Sequence, residues 1–103
     1  RKFLARAEEI INEAHADPDF NVEKLSEMMA MSRSSFYRKF KDLTGLTAAD
    51  YIRKVRLKKA SSLLKHEQLP VNQISEQVGF RSVAHFRKCF KDEFGRNPGG
   101  WVK

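Results

Sequence analysis

Residues 26–45 read SEMMAMSRSSFYRKFKDLTG, and residues 75–95 read SEQVGFRSVAHFRKCFKDEFG. Each stretch opens with Ser-Glu, continues with two Phe four residues apart and a Lys-Asp pair, and closes with Gly. The Ser-Glu pairs are 49 residues apart and the later matches are 50 residues apart, so one residue has been inserted where a turn is expected. The sequence therefore predicts one unit used twice, made of a short helix, a tight turn and a basic second helix.

The basic helix of the first unit is predicted to begin after Ser32, a residue type that favours the N-cap position. Its inner face is predicted to hold Phe36, Phe40 and Leu43. The opposite face carries polar and basic side chains that can form hydrogen bonds, namely Arg33, Ser34, Tyr37, Arg38 and Lys41. A helix with two such faces must be half exposed.

The second unit repeats this design after Ser82, with Gly79 as the turn residue. Its inner face is predicted to hold Phe86, Phe90 and Phe94. The outward residues take the same relative positions as in the first unit, and they are Val83, Ala84, Arg87, Lys88 and Lys91. Two units with the same cap, core spacing and basic face favour a helix-turn-helix structure over a helical bundle whose charged side is only solvated.

The rest of the chain is also predicted to be helical. Apolar spacing predicts a helix over residues 2–15, and Asn21 is expected to cap the short helix before the first turn. A long helix of about 18 residues is predicted to start at Thr47, whose hydroxyl can form a capping box with Asp50. Asn97 followed by proline predicts a last short helix.

These elements together predict an all-α fold of seven helices, because no stretch alternates in the way that a strand does. The predicted organisation is a first helix-turn-helix subdomain at 1–46, a linker helix at 47–65 and a second helix-turn-helix subdomain at 66–103. A helix of about 18 residues spans ~27 Å, while successive major grooves on one face of DNA lie ~34 Å apart. Such a linker would let both basic helices enter adjacent grooves.

The charge distribution predicts a polyanionic partner. Residues 1–31 carry four Lys/Arg and seven Asp/Glu, whereas residues 32–103 carry sixteen and six. The basic excess therefore lies with the repeat and its linker. Nucleic acid is favoured over an anionic membrane, because no basic amphipathic helix presents a Trp/Phe/Leu face. A basic helical module that binds RNA or an acidic protein is the alternative.

Other classes of function find no support in the sequence. His15, His66 and His85 show no metal-ligand spacing with Cys89 or the carboxylates. No Gly-rich phosphate loop and no Ser/His/Asp arrangement occurs, so we expect no enzyme, no metal and no cofactor. No apolar run is long enough to cross a bilayer. Because the chain begins at Arg1, we expect it to be a piece of a longer protein.

The residues of both units resemble a known family. The first pattern is Met31-Ser32-x-x-x-Phe36-x-x-x-Phe40-Lys41, then Gly45, then Tyr51-Ile52-x-x-x-Arg56-Leu57-x-x-Ala60-x-x-Leu63-Leu64. The second is Ile74-x-x-x-Val78-Gly79-Phe80-x-x-x-x-x-Phe86-x-x-x-Phe90-Lys91-x-x-Phe94-Gly95-x-x-Pro98. Both are similar to the AraC/XylS-type DNA-binding domain, over essentially the whole chain.

That resemblance implies two homeodomain-like helix-turn-helix subdomains that bind promoter or operator DNA and regulate bacterial transcription. By position, it implies a base-reading set of Ser34, Tyr37, Arg38, Val83, Ala84, Arg87 and Lys88. Phosphate contacts are expected from Asn21, Arg33, Lys41, Arg53, Arg81 and Lys91. Arg56 is open between a phosphate contact and an internal structural role.

The same resemblance implies a cytoplasmic domain that contacts double-stranded DNA and RNA polymerase but no membrane. The compact sequence Ser-Arg-Ser-Ser-Phe-Tyr-Arg-Lys at residues 32–39 resembles output domains of response regulators or hybrid two-component sensors. Effector sensing and any oligomerisation are expected in N-terminal regions outside this chain. One departure is Ala30, which stands where such turns often have glycine. If its φ is positive, the alanine costs about 1 kcal/mol or more.

Overall fold

The computed structural model describes residues 2–101, which form six α-helices and one 3-10 turn. The elements are α1 (Lys2–Ala14), α2 (Val22–Met28), α3 (Arg33–Thr44), α4 (Ala48–His66), α5 (Val71–Gln77), α6 (Val83–Phe94) and the 3-10 turn (Pro98–Gly100). The described residues contain no strand. The predicted all-α fold, with two helix-turn-helix units joined by a long central helix, is confirmed.

The seventh predicted helix differs from the prediction in type and length. The seventh predicted helix is a single 3-10 turn over Pro98–Gly100 within the described residues. Proline fixes φ and suits a first turn, but the two glycines that follow disfavour a longer helix. Trp101 packs beside this turn, with its ring centroid 4.9 Å from that of Phe94 and 5.3 Å from that of Phe90.

Side-chain caps fix where the longer helices begin and end. The hydroxyls of Ser32, Thr47 and Ser82 each accept a hydrogen bond from the backbone N–H three residues on, at 3.1 to 3.2 Å. Gly45 and Gly95 end α3 and α6 in the left-handed conformation, with φ of 78° and 77°. Serine and threonine favour the N-cap position, and glycine readily adopts the left-handed conformation, so these helix boundaries follow from local chemistry.

The turn between the two helices is built in the same way in both units. Ala30 in the first unit has φ of 57°, and Gly79 in the second has φ of 98°. In both turns, the next residue donates its N–H to the carbonyl of the serine five residues earlier, at 3.0 Å. This is the Schellman arrangement that ends a helix. The positive φ considered for Ala30 is therefore present.

Two hydrophobic clusters lie along α4, one at its N-terminal half and one at its C-terminal half. The first contains Ala7, Ile10, Ile11, Phe20, Leu25, Phe36, Phe40, Ala48 and Ile52, and the second contains Leu57, Ala60, Leu64, Ile74, Val78, Phe80, Phe86 and Phe90. The paired phenylalanines of α3 and α6 are 0% exposed. They anchor α3 and α6 in the hydrophobic clusters of their units.

The predicted core position at Leu43 is wrong, since this side chain is 51% exposed. The offset of 50 residues between the units aligns Leu43 with the exposed Glu93 and aligns Thr44 with the half-buried Phe94. The inner face of α3 thus follows a spacing of four residues. Thr44 occupies its last position, and its hydroxyl donates to the Phe40 carbonyl at 2.9 Å.

Candidate nucleic-acid interface

The outer face of α3 presents a compact set of polar side chains. Arg33, Ser34, Tyr37 and Arg38 are all exposed and line one open depression on the surface. The Tyr37 side chain is 46% exposed although its ring is large and apolar. The combination of two guanidinium groups, a phenol and a small hydroxyl can donate hydrogen bonds to the acceptor-rich edges of bases.

The outer face of α6 is simpler. Ala84, Arg87 and Lys88 are exposed, whereas Val83 is half-buried. The Lys88 Nζ lies 3.3 Å from the Asp92 carboxylate, but both side chains are more than two-thirds exposed. Such a solvated pair contributes little stability, so Lys88 can exchange this partner for a ligand.

The predicted phosphate contacts fall into two groups. Arg33, Lys41 and Lys91 are exposed on α3 and α6, and the two lysines lie in the last turns of those helices. Asn21 already has a structural task, since its Oδ1 accepts a hydrogen bond from the Lys24 N–H at 2.9 Å. A phosphate at Asn21 would therefore be bound by the amide nitrogen.

The other two predicted phosphate residues, Arg53 and Arg81, form ion pairs within the chain. Arg53 pairs with Asp50 on α4, and Arg81 pairs with Asp19 in the loop between α1 and α2. The hydrogen bond from Arg53 lowers the pKa of Asp50, although burial opposes this shift. Both arginines line one cleft between α4 and the turn of the second unit, so the structure brings them together.

Arg56 has an internal structural role, which settles the alternative that the sequence leaves open. Its Nε donates to the His15 carbonyl at 2.8 Å, and its Nη2 donates to the carbonyls of Asp17 and Phe20 at 3.1 and 3.2 Å. Burial lowers the pKa of Arg56, while the nearby Asp17 carboxylate opposes the shift. An arginine stays protonated at neutral pH in such a setting.

Sequence reasoning did not find the contacts that α4 makes with the two units. The Lys54 ammonium lies 3.0 Å from both carboxylate oxygens of Glu93 on α6. The Tyr51 hydroxyl donates to Glu8 on α1 at 3.0 Å, and burial followed by this contact raises the pKa of Tyr51. These pairs join residues 39 and 43 positions apart. Helical periodicity carries no signal at such separations.

The remaining candidate groups are the histidines and Cys89. No three His, Cys, Asp or Glu side chains in residues 2–101 are arranged to hold a metal ion. The Cys89 Sγ lies 3.3 Å from His85 Nε2 on the same helix, and burial raises the pKa of this thiol. Of the helices described, none has both the length and the hydropathy to cross a bilayer.

Comparison with known proteins points to one family. A family model described as a helix-turn-helix domain matches residues 25–103. The chain is 35% identical over 97 residues to histidine kinase P4 of Formosa agariphila, and the match covers 94% of this chain and 7% of that protein. Across the curated relatives that head the comparison, the chain spans from 7% to 37% of their length.

Solved structures agree with this family in fold. The C-terminal domain of the two-component response regulator yesN from Fusobacterium nucleatum superposes with a TM-score of 0.96 at 30% identity, covering 100% of both chains. The DNA-binding domain of AdpA, described as a global transcriptional factor and solved in complex with a target DNA, gives a TM-score of 0.90 at 29% identity. That match covers 96% of this chain and 88% of that one.

Proposed function

The chain belongs to the AraC/XylS-type family of helix-turn-helix DNA-binding domains of transcription regulators, and from this premise we propose that it reads a specific duplex DNA sequence. In this proposal it is the C-terminal domain of a bacterial regulator. The observation that carries the proposal is the repeated construction of α3 and α6. Both helices combine a Ser cap, two phenylalanines at 0% exposure and an exposed basic outer face.

We propose that α3 and α6 enter adjacent major grooves on one face of the duplex. A major groove about 12 Å wide admits one helix, and α4 provides 19 residues between the two units. In this arrangement the first subdomain is 1–46, the linker is 47–65 and the second subdomain is 66–103. The two reading helices of a single chain then do what a dimer does in other helix-turn-helix proteins.

The proposed base contacts differ between the two helices. On α3, Arg38 donates to guanine O6 and N7, Tyr37 bonds or stacks, and Ser34 bonds to a base edge. On α6, Arg87 and Lys88 donate to guanine, while Val83 and Ala84 contact a thymine methyl. Each good bidentate pair discriminates against the wrong base by about 1–3 kcal/mol. The polar face of α3 favours it as the main source of specificity.

Phosphate contacts are proposed for residues at the rims of both helices and in the cleft between the units. They are Asn21, Arg33, Lys41, Arg53, Arg81 and Lys91. Phosphate contacts of this kind set register and orientation rather than sequence preference.

The cellular setting is proposed from the relatives. The similarity to a histidine kinase and to the output domain of a response regulator supports a role in a two-component system. We propose that the protein acts in the cytoplasm, where its partners are promoter DNA and RNA polymerase. Sensing and oligomerisation are assigned to other parts of the full-length protein.

The proposal is tested by selecting bound sites from random duplexes and then titrating the selected duplex against single-stranded RNA of the same length. Preference for the duplex, with a defined consensus, supports the proposal. Preference for the single strand, or selection without a consensus, overturns it in favour of an RNA-binding or protein-binding module.

Single substitutions then assign the helices to their grooves. Arg38→Ala and Arg87→Ala are each expected to weaken binding by about 1–3 kcal/mol and to relax base preference in separate halves of the site. The matched control is Lys39→Ala, which removes the same charge from α3. Its Nζ lies 4.6 Å from the Phe3 ring and so faces α1. A variant that weakens all duplexes equally would reassign its arginine to a phosphate.

A further inference from the structure

The two units contact each other directly at a place beside α4. We call it the junction, and it consists of Arg56, the loop 15–20 that joins α1 to α2, and the turn at Gly79. Arg56 reaches from the middle of α4 to three carbonyls of that loop, at 2.8, 3.1 and 3.2 Å. The planar guanidinium presents its donors in a rigid fork, so three bonds to one loop fix the direction of the side chain and of the loop.

The second unit closes the junction from the other side. A Cβ atom at Gly79 would lie 2.3 Å from the His15 carbonyl oxygen and 2.9 Å from the Arg56 Nε. The backbone of the second turn therefore rests on the loop of the first unit at a distance that only glycine permits. The ion pair between Asp19 and Arg81 lies beside this contact and joins the same loop to the same turn.

The junction lies close to both reading helices. Gly79 is four residues before Val83, the first residue of α6, and the loop on the other side leads directly into α2, which braces α3. Within the described residues, this contact connects the units in addition to the continuous helix α4, which also pairs with α6 through Lys54 and Glu93. Because a helix can bend or twist, the junction adds a direct restraint on the angle of one unit against the other.

We infer that Arg56 is a positioning residue that sets the distance and angle between α3 and α6, and hence the number of base pairs that the protein accepts between the two halves of its site. This inference rests on the proposed function. One inserted base pair moves the second half-site by about 3.4 Å and turns it by roughly 34°, since the helical repeat is about 10–10.5 base pairs over 34–36 Å. A fixed pair of reading helices cannot follow that change, whereas a hinged pair can.

The first experiment measures the spacing preference of the intact chain. Its duplexes are the selected site, the same site with one base pair inserted or deleted between its halves, and a duplex that keeps one half. The wild-type protein is expected to bind the altered spacings about tenfold more weakly. Arg56→Lys keeps the charge but cannot form the fork, and it is expected to reduce this ratio to about threefold or less. Its affinity for the single half should stay within about twofold of the wild-type value.

A matched pair of glycine variants tests the junction from its other side. Gly79→Ala places a Cβ against the His15 carbonyl, whereas Gly95→Ala has nothing within 4 Å. Both glycines have positive φ, at 98° and 77°, so both variants carry backbone strain. Loss of the spacing preference in Gly79→Ala alone supports the inference. An unchanged ratio in Arg56→Lys, or the same ratio in both alanine variants, overturns it.

A measurement without DNA separates this inference from the proposed function. Spin labels at Lys39→Cys on α3 and Asp92→Cys on α6, in a Cys89→Ser background, report the distance between the two helices. Arg56→Lys is expected to broaden that distance distribution relative to Arg56. An equally narrow distribution in both proteins overturns the inference, whatever the DNA results. If the wild-type protein bound no duplex while Arg56→Lys still broadened the distance distribution, the proposed function would be rejected and the role of Arg56 would be retained.

Discussion

Ala30 and Gly79 hold the same position in their turns, but the two positions differ in how strongly they require glycine. Both have positive φ, which L-residues rarely adopt. Gly79 is also buried against the His15 carbonyl, whereas Ala30 is exposed at the surface. The first turn can therefore hold an alanine at the cost of strain alone, and the second turn cannot.

Ala30→Gly is expected to stabilise the domain by about 0.5–1 kcal/mol. It removes a left-handed alanine that costs roughly 1–2 kcal/mol, and the greater freedom of glycine in the unfolded chain offsets part of the gain. Urea unfolding measures the change. The control is Ala49→Gly, at an exposed position within α4, which is expected to be destabilised by up to about 1 kcal/mol. Equal destabilisation in both variants would contradict the left-handed turn.

Among the elements, α3 and α6 depend on their serine caps. Each cap satisfies one of the backbone donors that a helix leaves unpaired at its start. In α6, the Ser82 hydroxyl accepts the His85 N–H at 3.2 Å, immediately before the face that is proposed to read DNA. The cap therefore supports the first turn of that face.

Ser82→Ala is expected to lower the free energy of unfolding by about 1 kcal/mol, since alanine leaves that N–H without its acceptor. Thermal unfolding at constant pH provides the measurement. Ser62→Ala, on the exposed surface of α4, should be neutral or slightly stabilising because alanine is the better helix former. If both serines gave the same change, the Ser82 cap would not contribute to stability.

Local chemistry explains why most elements could be predicted from the sequence. The caps at Ser32 and Thr47, the glycine ends and the paired phenylalanines all act within a few residues of one another. The prediction that Leu43 is buried is wrong because residues three and four positions after Phe40 both lie on the same helical face. Only the neighbouring elements decide which of the two is buried. Arg56 and Gly79 contact residue 15, which is 41 and 64 positions away. Arg56 binds backbone carbonyls there, and these carry no side-chain signature.

At the scale of the molecule, the shape is elongated and the charge is unevenly distributed along the chain. The domain extends over 41 × 22 × 22 Å, so its length is nearly twice its width. Residues 1–31 have an acidic excess and the rest of the chain has a basic one. An elongated molecule with its cations on the repeated units and linker can follow the phosphates of a duplex for more than one helical turn, about 34–36 Å.

Binding to the selected duplex is therefore expected to weaken strongly with salt. With about 6–10 phosphate contacts, the logarithm of the binding constant should fall against the logarithm of salt concentration with a slope of about −5 to −9. Arg53 and Arg81 already pair with carboxylates, so they should release fewer counterions and bring the slope towards the shallow end. A salt series by fluorescence anisotropy measures this slope. Salt-independent affinity would contradict a phosphate-based interface.

The continuity of α4 has a consequence for how such a domain can evolve. Ile52 packs in one hydrophobic cluster and Leu57 in the other, within a single uninterrupted helix. One residue inserted between them would turn the second unit by about 100° and advance it by about 1.5 Å. Seven inserted residues nearly restore the direction, but they shift the unit by roughly 10 Å. Under the proposed two-groove binding, insertions into α4 would therefore change operator spacing only in discrete steps, whereas single substitutions on the outer faces of α3 and α6 would change base preference without moving either helix.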